Sequence, residues 1–452
     1  MKNIIKKLSR RSFLTKTVNA TAALSMPYIW GSNSAASSPE QWPPIDPNKP
    51  INIGIMYSHT GIEKTNSLPA YKMALMAIED INRAGGIHSA RLNPIIKDPN
   101  SEWPNYTRIA KSLNDENVNI TWGCTFSAGR KAALPTIARG GGLLYYGALY
   151  EGRECSQHMI ATGSCPNQQI EVGVPRMLER YGSKTYIVGS NYIFSRTMSK
   201  QADRSLVLNG GESLGDKFIK LGVTDPAAFK PLVEDIIKMK PDWILSNLVG
   251  GSIEGFLRAY KEAGLSPDQM PIMHVAMLES TVKNLGPELC AGHYTSATYF
   301  QNIDSPTNKE FFKRYKEFAR SRPEWESDEV TLGAVAEGVY MGAMACKEAM
   351  LKANSAHPDA IREASRGLIF NSGSGDKVKI DPDNLHTWLY PRIGQVNDQG
   401  AFDVVFESPT WVRPQVFNTE IDPNKTCKDG GQYFIKGKKV PGPKVTREII
   451  AQ

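Results

Sequence analysis

Residues 51–86, INIGIMYSHTGIEKTNSLPAYKMALMAIEDINRAGG, contain one complete strand–turn–helix unit. Ile51 to Tyr57 have the apolar character of a buried strand, and Ser58 to Gly61 supply the turn residues that end it. From Ser67 onward apolar side chains recur at helical spacing, and the stripe stops at Ala84-Gly85-Gly86, a typical helix C-terminus. The stripe consists of Tyr71, Ala74, Leu75, Ile78 and Ile81.

The same alternation continues along the chain in two blocks. Strands are predicted over 92–97, 118–122 and 142–146, with helices over 103–113 and 128–138. The second block has strands over 185–190, 242–246 and 271–275, with helices over 197–208, 229–239 and 253–263. Strands separated by helices form parallel sheets with right-handed crossovers. Two such blocks predict two α/β domains of similar build.

The pattern changes after Phe300. Two long helices are predicted over 308–320 and 328–353, followed by short strands over 378–380, 386–396 and 401–407. From Pro414 the chain is rich in Pro, Lys and Gly without strong periodicity, so we expect a surface extension.

The first 36 residues have the three-part plan of an export signal. Basic residues run to Lys16, no acidic residue precedes Glu40, and a weakly apolar stretch spans 17–30. Ser34 and Ala36 are placed like a cleavage site. Residues 9–14, SRRSFL, resemble the twin-arginine motif, which predicts export to the periplasm by the twin-arginine translocase. A basic amphipathic helix that binds nucleic acid or a membrane is the alternative.

The net charge of +7 is largely a property of this signal. Without its six basic residues, the 53 basic and 46 acidic residues become 47 and 46, a balance of about +1. A nucleic-acid partner is therefore not predicted. The 41% of hydrophobic residues excludes general disorder, and no apolar run reaches the roughly 20 residues of a spanning helix.

Catalytic and metal-binding motifs are absent from the sequence. The seven histidines lack metal-ligand spacing, and no nucleophile elbow, phosphate-binding loop or dinucleotide fingerprint occurs. We therefore predict neither an enzyme nor a cofactor. None of the six cysteines forms a C-x-x-C pair. Cys155 and Cys165 could close a short loop in an oxidising compartment, and free buried thiols are the alternative.

Loops that follow the predicted strands are the candidate binding elements, since open α/β sheets hold ligands at the carboxyl ends of their strands. Ser127 precedes a helix whose free N–H groups can hold a carbonyl or carboxylate oxygen; a simple N-cap is the alternative. In the loop 145–152, aromatic rings can wall a pocket while Glu151 accepts N–H groups. Packing in the core is the alternative for Tyr145. The loop 191–196 takes the matching place in the second block.

Several short segments, in this order and spacing, resemble type I periplasmic binding proteins, and more narrowly their amide- and urea-binding branch. That branch includes the amide receptor of the bacterial amidase operon and the urea or short-chain-amide proteins of ABC importers. The likeness covers about residues 51–415. The segments are AIEDIN at 77–82 with Gly85-Gly86, Gly123-Cys124 with Ser127 and Arg130-Lys131, Tyr150-Glu151-Gly152, PNQQ at 166–169, VGSNY at 188–192 with Arg196, Tyr299-Phe300 and Ile303-Asp304.

The resemblance implies a two-lobe type I fold in which each lobe is a parallel-sheet α/β sandwich and three crossovers join the lobes. Lobe one is expected to comprise 50–164 and 300–366, and lobe two 165–299 and 367–415. The remaining segments are the signal at 1–36, a Pro-rich lead-in at 37–50 and a C-terminal extension at 416–452.

The resemblance also implies the ligand residues. The family's amide is held where Ser127, the loop from Tyr146 to Tyr150, and Tyr192 stand. This chain departs from the amide receptor at several contact positions, where it loses hydroxyl groups, so we expect a larger and more apolar pocket. The departures are Thr125 for Tyr, Ala148 for Thr, Leu149 for Pro, Phe194 for Tyr and Asn191 for Asp. Cys155 and Cys165 replace ordinary residues of the pattern, which favours their pairing.

The function implied is a periplasmic substrate-binding protein that captures a small amide, urea or related polar ligand and delivers it to an ABC permease and its ATPase. Capture works by lobe closure and needs no catalysis. Three alternatives remain open: a ligand-sensing regulator of the amide-receptor type, a binding protein for amino acids or small carboxylates, and an amide hydrolase on the same scaffold.

Overall fold

The first sheet is fully parallel, and its strands lie in the order Leu92–Ile96, Ile51–Met56, Ile120–Gly123, Leu143–Tyr146 and Met159–Ala161. The computed structural model describes residues 42–322, 325, 330–428 and 431–434. Central strands of this sheet are buried on both faces, which explains the nearly unbroken apolar run at Ile51–Met56. The elements are β1 (Ile51–Met56), α1 (Lys64–Arg83), β2 (Leu92–Ile96), α2 (Trp103–Asp115), β3 (Ile120–Gly123), α3 (Ser127–Arg139), β4 (Leu143–Tyr146) and β5 (Met159–Ala161).

The turn after α1 depends on glycine. Gly86 has a φ of +75°, and a Cβ at this position would lie 2.2 Å from the carbonyl oxygen of Ala90. The chain can therefore reverse tightly into β2 only with glycine here. The predicted stop of the helix at Ala84-Gly85-Gly86 is confirmed.

After β5 the chain passes to a second α/β lobe through a 3₁₀ turn, Pro166–Gln168, and a helix. Its strands β6 to β10 are mutually parallel where they pair. The elements are α4 (Ile170–Tyr181), β6 (Lys184–Ser190), α5 (Ile193–Leu208), β7 (Glu212–Ile219), a second 3₁₀ turn (Pro226–Phe229), α6 (Lys230–Met239), β8 (Trp243–Asn247), α7 (Ser252–Glu262), β9 (Ile272–His274), α8 (Glu279–Leu285), α9 (Pro287–Cys290) and β10 (Tyr294–Ala297).

The chain then returns to the first lobe, where its long helices pack on α1. A Cβ on Gly338 would lie 2.2 Å from the carbonyl oxygen of Gly147, so the second long helix and the loop after β4 meet backbone to backbone. The elements of this return are α10 (Pro306–Arg320), α11 (Ala334–Ala353), α12 (Pro358–Ser365), β11 (Ile369–Asn371), β12 (Lys377–Ile380) and β13 (Thr387–Trp388).

The last strands complete the second sheet. β14 (Arg392–Val396) pairs antiparallel with β10, and β15 (Phe402–Glu407) pairs antiparallel with β14. The sheet order becomes β15-β14-β10-β9-β8-β6-β7. The chain thus passes between the lobes three times, and the predicted two-lobe α/β fold is confirmed, with an antiparallel addition to the second sheet that the sequence did not indicate.

Strands β11 to β13 form a separate antiparallel sheet beside the first lobe. His386 makes a parallel bridge to Ala161 at the end of β5. The sequence predicts 367–415 to belong to lobe two. By strand pairing, 392–407 join the second sheet, whereas 369–388 attach to the edge of the first. The exact lobe bounds stay a prediction.

The segment after β15 contacts both lobes. In the first lobe, the backbone N–H of Arg153 donates to the carbonyl oxygen of Val416 at 2.8 Å. In the second lobe, the side-chain amide of Asn418 donates to Glu171 on α4 at 2.8 Å. The chain ends its described part in a hairpin of β16 (Lys425–Lys428) and β17 (Gly431–Phe434).

A disulfide fastens this segment to the first lobe, and it corrects the expected Cys155–Cys165 pair. Cys155 is bonded to Cys427, with the two Cα atoms 5.5 Å apart. Cys165 is a free, fully buried thiol. The reason is orientation: Cys165 faces the interior near Tyr150, whereas Cys155 packs against the C-terminal segment at Phe417.

Candidate functional site

A small cavity, partly open to solvent, lies between the two lobes at the carboxyl ends of their strands. Its wall is mainly apolar, with four side chains that carry hydrogen-bonding groups. The first lobe contributes Asn66, Thr125, Phe126, Ser127, Leu149 and Val335, and the second contributes Tyr192, Phe194, Val249, Ala276 and Leu278.

The N-terminus of α3 points toward this cavity. β3 ends at Gly123, and Phe126 is extended, with φ −115° and ψ 144°, immediately before the helix begins at Ser127. The first N–H groups of a helix have no partner within the helix and favour partial negative charge. This end of α3 can therefore hold a carbonyl or carboxylate oxygen.

Tyr192 crosses from the second lobe to that helix end. It is the extended residue that precedes α5, and its hydroxyl oxygen accepts a hydrogen bond from the backbone N–H of Ala128 at 2.7 Å. Its ring centre lies 6.2 Å from that of Phe126. Burial raises the pKa of Tyr192 above its usual value, so the phenol stays neutral and keeps its own proton to donate.

Behind the cavity wall, Ser127 is part of a buried charged network. The Ser127 hydroxyl donates to the carboxylate of Glu151, and Arg130 donates to the other oxygen of Glu151 at 2.8 Å. Both charged side chains are essentially unexposed. Burial opposes the charge on Arg130, but the Glu151 carboxylate outweighs it and raises the pKa of the guanidinium. The two charges therefore neutralise each other. The Ser127 oxygen accepts one hydrogen bond from Arg130 at 3.4 Å and has a second lone pair that can accept from a ligand.

Aromatic rings enclose this ion pair. The Arg130 guanidinium lies 5.1 Å from the ring centre of Tyr146 and 4.5 Å from that of Tyr150. The Tyr150 hydroxyl bonds to Nε2 of His386, the residue bridged to Ala161 at the end of β5. These contacts stabilise the cation in a desolvated place. The group supports Ser127 and α3 from behind.

The structure therefore divides the predicted ligand residues into two sets. It brings Thr125, Ser127, Tyr192 and Phe194 together at the cavity. The other four form the layer behind that wall, because the loop after β4 turns inward and presents Leu149 to the cavity in their place. This second set is Tyr146, Ala148, Tyr150 and Glu151.

Other wall residues were not predicted. Ala276 and Leu278 follow β9 at its carboxyl end, so the strand-end rule that indicated Ser127 could have found them. Val335 comes from α11, far along the chain, and no local pattern indicates it. No three or more His, Cys, Asp or Glu side chains in the described part of the chain could hold a metal ion together. Within the same residues, no helix combines the length and apolar character of a membrane span.

Comparisons with solved structures support the fold. A solute-binding protein of an ABC transporter from Rhodopseudomonas palustris BisB5, in complex with 3,4-dihydroxybenzoic acid, is similar with a TM-score of 0.71 at 19% identity, covering 80% of this chain and 98% of that chain. A branched-chain amino acid transporter substrate-binding protein from Streptococcus pneumoniae, in complex with isoleucine, is similar with a TM-score of 0.68 at 18% identity. The match covers 81% of this chain and 100% of that chain.

A curated relative matches a smaller region. The limonene hydroxylase of Geobacillus stearothermophilus is 32% identical over 140 residues, which are 30% of this chain. The match covers 24% of that protein, so this chain spans about a quarter of its length.

The periplasmic binding protein domain family matches residues 51–423, which include both sheets and all the residues that line the interlobe cavity. The chain therefore belongs to the periplasmic binding protein domain family and has its type I, two-lobe fold.

Proposed function

We propose that this protein is the substrate-binding protein of an ABC-type uptake system and captures a small ligand between its lobes without chemical conversion. The observation that carries the proposal is the Ala128–Tyr192 hydrogen bond beside a cavity walled by both lobes. A ligand there touches both lobes only when they are closed, so its binding shifts the population toward the closed form.

The wall chemistry limits the ligand class. The α3 N-terminus and the Tyr192 hydroxyl offer donors for one carbonyl-type head. Phe126, Phe194 and Val249 favour an apolar or aromatic body. No Lys or Arg lines the described cavity, and Arg130 is already paired. We therefore propose an amide, a urea derivative or a small carboxyl compound with an apolar body. The ligands of the two similar solved structures, 3,4-dihydroxybenzoic acid and isoleucine, are small carboxyl compounds with an aromatic or apolar body.

The location and partners belong to the same proposal. The name of the matching family, periplasmic binding protein domain, agrees with a periplasmic location. The export signal proposed at 1–36 lies outside the described residues. Export by the twin-arginine translocase places the mature protein beside an inner-membrane permease and its ATPase. The closed form is the one that docks on the permease, because only it signals that the ligand is loaded.

Thermal-shift screening of the mature protein tests the proposal, followed by calorimetry and small-angle X-ray scattering on each compound that binds. The panel contains urea, aliphatic and aromatic amides, hydroxybenzoates and branched amino acids. Ligand at a hundredfold excess over Kd stabilises the folded protein by about 2.7 kcal/mol. We expect a binder among carbonyl compounds with an apolar body, and a smaller radius of gyration when it is bound. Absence of any binder, or binding without compaction, would contradict capture by closure.

A further inference from the structure

Next to the cavity lies a buried carboxyl group, Glu63, with an unpaired oxygen. Glu63 immediately precedes α1 and is 1% exposed. The Thr125 hydroxyl, which lines the cavity, lies close enough to Glu63 to lower its pKa. Within the described residues, however, neither this hydroxyl nor the Oε1 atom of Glu63 makes a hydrogen bond of good geometry. Buried polar atoms are nearly always paired, because an unpaired one has lost its bonds to water without replacement. One such atom in the cavity wall, on Thr125, and a second directly behind it, on Glu63, indicate a place for a polar group.

The surrounding contacts hold this carboxyl in position. The Tyr106 hydroxyl donates to Oε2 of Glu63 at 2.6 Å, and the backbone N–H of Glu63 donates to the Ser101 hydroxyl at 3.0 Å. The Ser58 and Tyr106 hydroxyl groups are 3.0 Å apart and fix the tyrosine in turn. One oxygen of the carboxyl is therefore anchored, and the other lies near the Thr125 hydroxyl without a well-formed hydrogen bond.

We propose that Glu63 and Thr125 form a second polar subsite of the ligand cavity, which accepts an N–H or O–H group of the ligand. This inference rests on the proposed function. A carbonyl head at the α3 N-terminus and a donor group at Glu63 define a ligand with both functions, such as a primary amide, an amine or a phenol attached to an apolar body. Compounds in which the donor is capped by methyl groups are then rejected.

The charge state of Glu63 makes the subsite sensitive to pH. Burial raises the pKa of Glu63 to about 7, although the Tyr106 and Thr125 hydroxyls oppose the rise. The titratable groups that face it are Tyr106 from α2, Cys124 after β3 and Tyr192 from the other lobe, and burial keeps all three neutral at pH 7. A donor group favours the ionised carboxylate, so binding tightens as the pH rises. The ionised fraction changes about tenfold between pH 6 and pH 8, and the affinity follows it.

Calorimetry with two pairs of compounds tests this inference. The pairs are benzamide with N,N-dimethylbenzamide, and 4-hydroxybenzoate with 4-methoxybenzoate, each measured at pH 6 and pH 8. We expect the donor-bearing member of at least one pair to bind ten- to a hundredfold more tightly than its methylated partner. Glu63→Gln should lose both this preference and the pH dependence. Glu171→Gln is the matched control, because desolvation also raises the pKa of the half-buried Glu171 to about 7, but this carboxyl bonds to Asn418 and does not line the cavity.

A measurement on the unmodified protein guards against a misfolded variant. Calorimetry of the donor-bearing binder at pH 7, in two buffers of different ionisation enthalpy, should show release of about half a proton per bound ligand. Equal affinity within both pairs, an unchanged preference in a folded Glu63→Gln protein, or no proton release overturns the role of Glu63 and leaves the capture function standing. If no member of either pair binds, the proposed ligand class fails and this inference fails with it.

Discussion

The hydroxyl oxygen of Tyr192 accepts a hydrogen bond from the backbone N–H of Ala128 at 2.7 Å, and these two residues belong to different lobes. The bond ends on the same helix N-terminus that we propose for the ligand head. A side chain of the second lobe thus occupies part of the polar site of the first. The two lobes consequently contact each other directly beside the cavity.

Tyr192→Phe should shift the ligand-free protein toward the open form. The substitution removes an interlobe hydrogen bond worth about 1 kcal/mol and keeps the ring beside Phe126. Small-angle scattering of the ligand-free variant should therefore give a larger radius of gyration. Tyr181→Phe is the control, since its hydroxyl contacts Tyr294 inside the second lobe. Identical scattering of all three proteins would show that the bond does not affect closure.

Breaking the Arg130–Glu151 pair should strongly destabilise the protein. Removing one partner leaves the other charge buried and unpaired, at a cost of about 3–5 kcal/mol. We expect Glu151→Gln and Arg130→Met each to lower the urea midpoint, and the double variant to lose less than the sum of the two. Arg258→Ala, in an exposed pair with Glu254, should change stability by less than about 0.5 kcal/mol. Strict additivity of the two buried substitutions would argue against the pairing.

Peptide mapping of the oxidised mature protein should identify a Cys155–Cys427 linkage and no Cys155–Cys165 linkage. The bond closes a long loop, with a sequence separation of 272, so Cys427→Ser should lower the unfolding free energy by as much as about 5 kcal/mol. Cys290→Ser is the control, because it removes a free buried thiol and leaves the disulfide in place. A linkage to any other cysteine would refute the assignment.

The buried Glu337 should make the protein less stable toward alkaline pH. Burial, with Asp376 nearby, raises the pKa of Glu337 to about 8, against 4.5 for a free glutamate. Its contribution is therefore complete below pH 4.5 and is lost as the pH rises to 8, by at most about 1.4 kcal/mol per pH unit. Glu337→Gln should flatten the fall of the melting temperature over this range. The exposed Glu262→Gln is the control, and equal slopes for both variants would contradict the prediction.

Much of the secondary structure could be predicted, because buried parallel strands and amphipathic helices leave a clear local pattern. The strand predicted at 242–246 is Trp243–Asn247, and the helix predicted at 128–138 is Ser127–Arg139. Strand Glu212–Ile219 was missed because it lies at the sheet edge with many exposed polar positions. The predicted strand 386–396 is in fact two strands that belong to different sheets.

The site could be predicted only in part. Residues at strand ends, such as Ser127 and Tyr192, follow from the rule for parallel sheets, and they do line the cavity. Glu151 lies in the layer behind the cavity wall because it pairs with Arg130, and the sequence alone does not indicate this pairing. Glu63 stands at an ordinary helix start in the sequence, and only its burial and its unpaired oxygen distinguish it.

The three passages of the chain between the lobes have a consequence for synthesis on the ribosome. A nascent chain that ends near residue 300 already contains all five strands of the first sheet, but it lacks α11, which covers α1. Helix α1 stays without this partner until Ala334–Ala353 has been made. The strands of the first lobe are synthesised first, but this lobe is therefore unable to finish folding before the core strands of the second lobe have emerged. Its unfinished surface is where a chaperone would act.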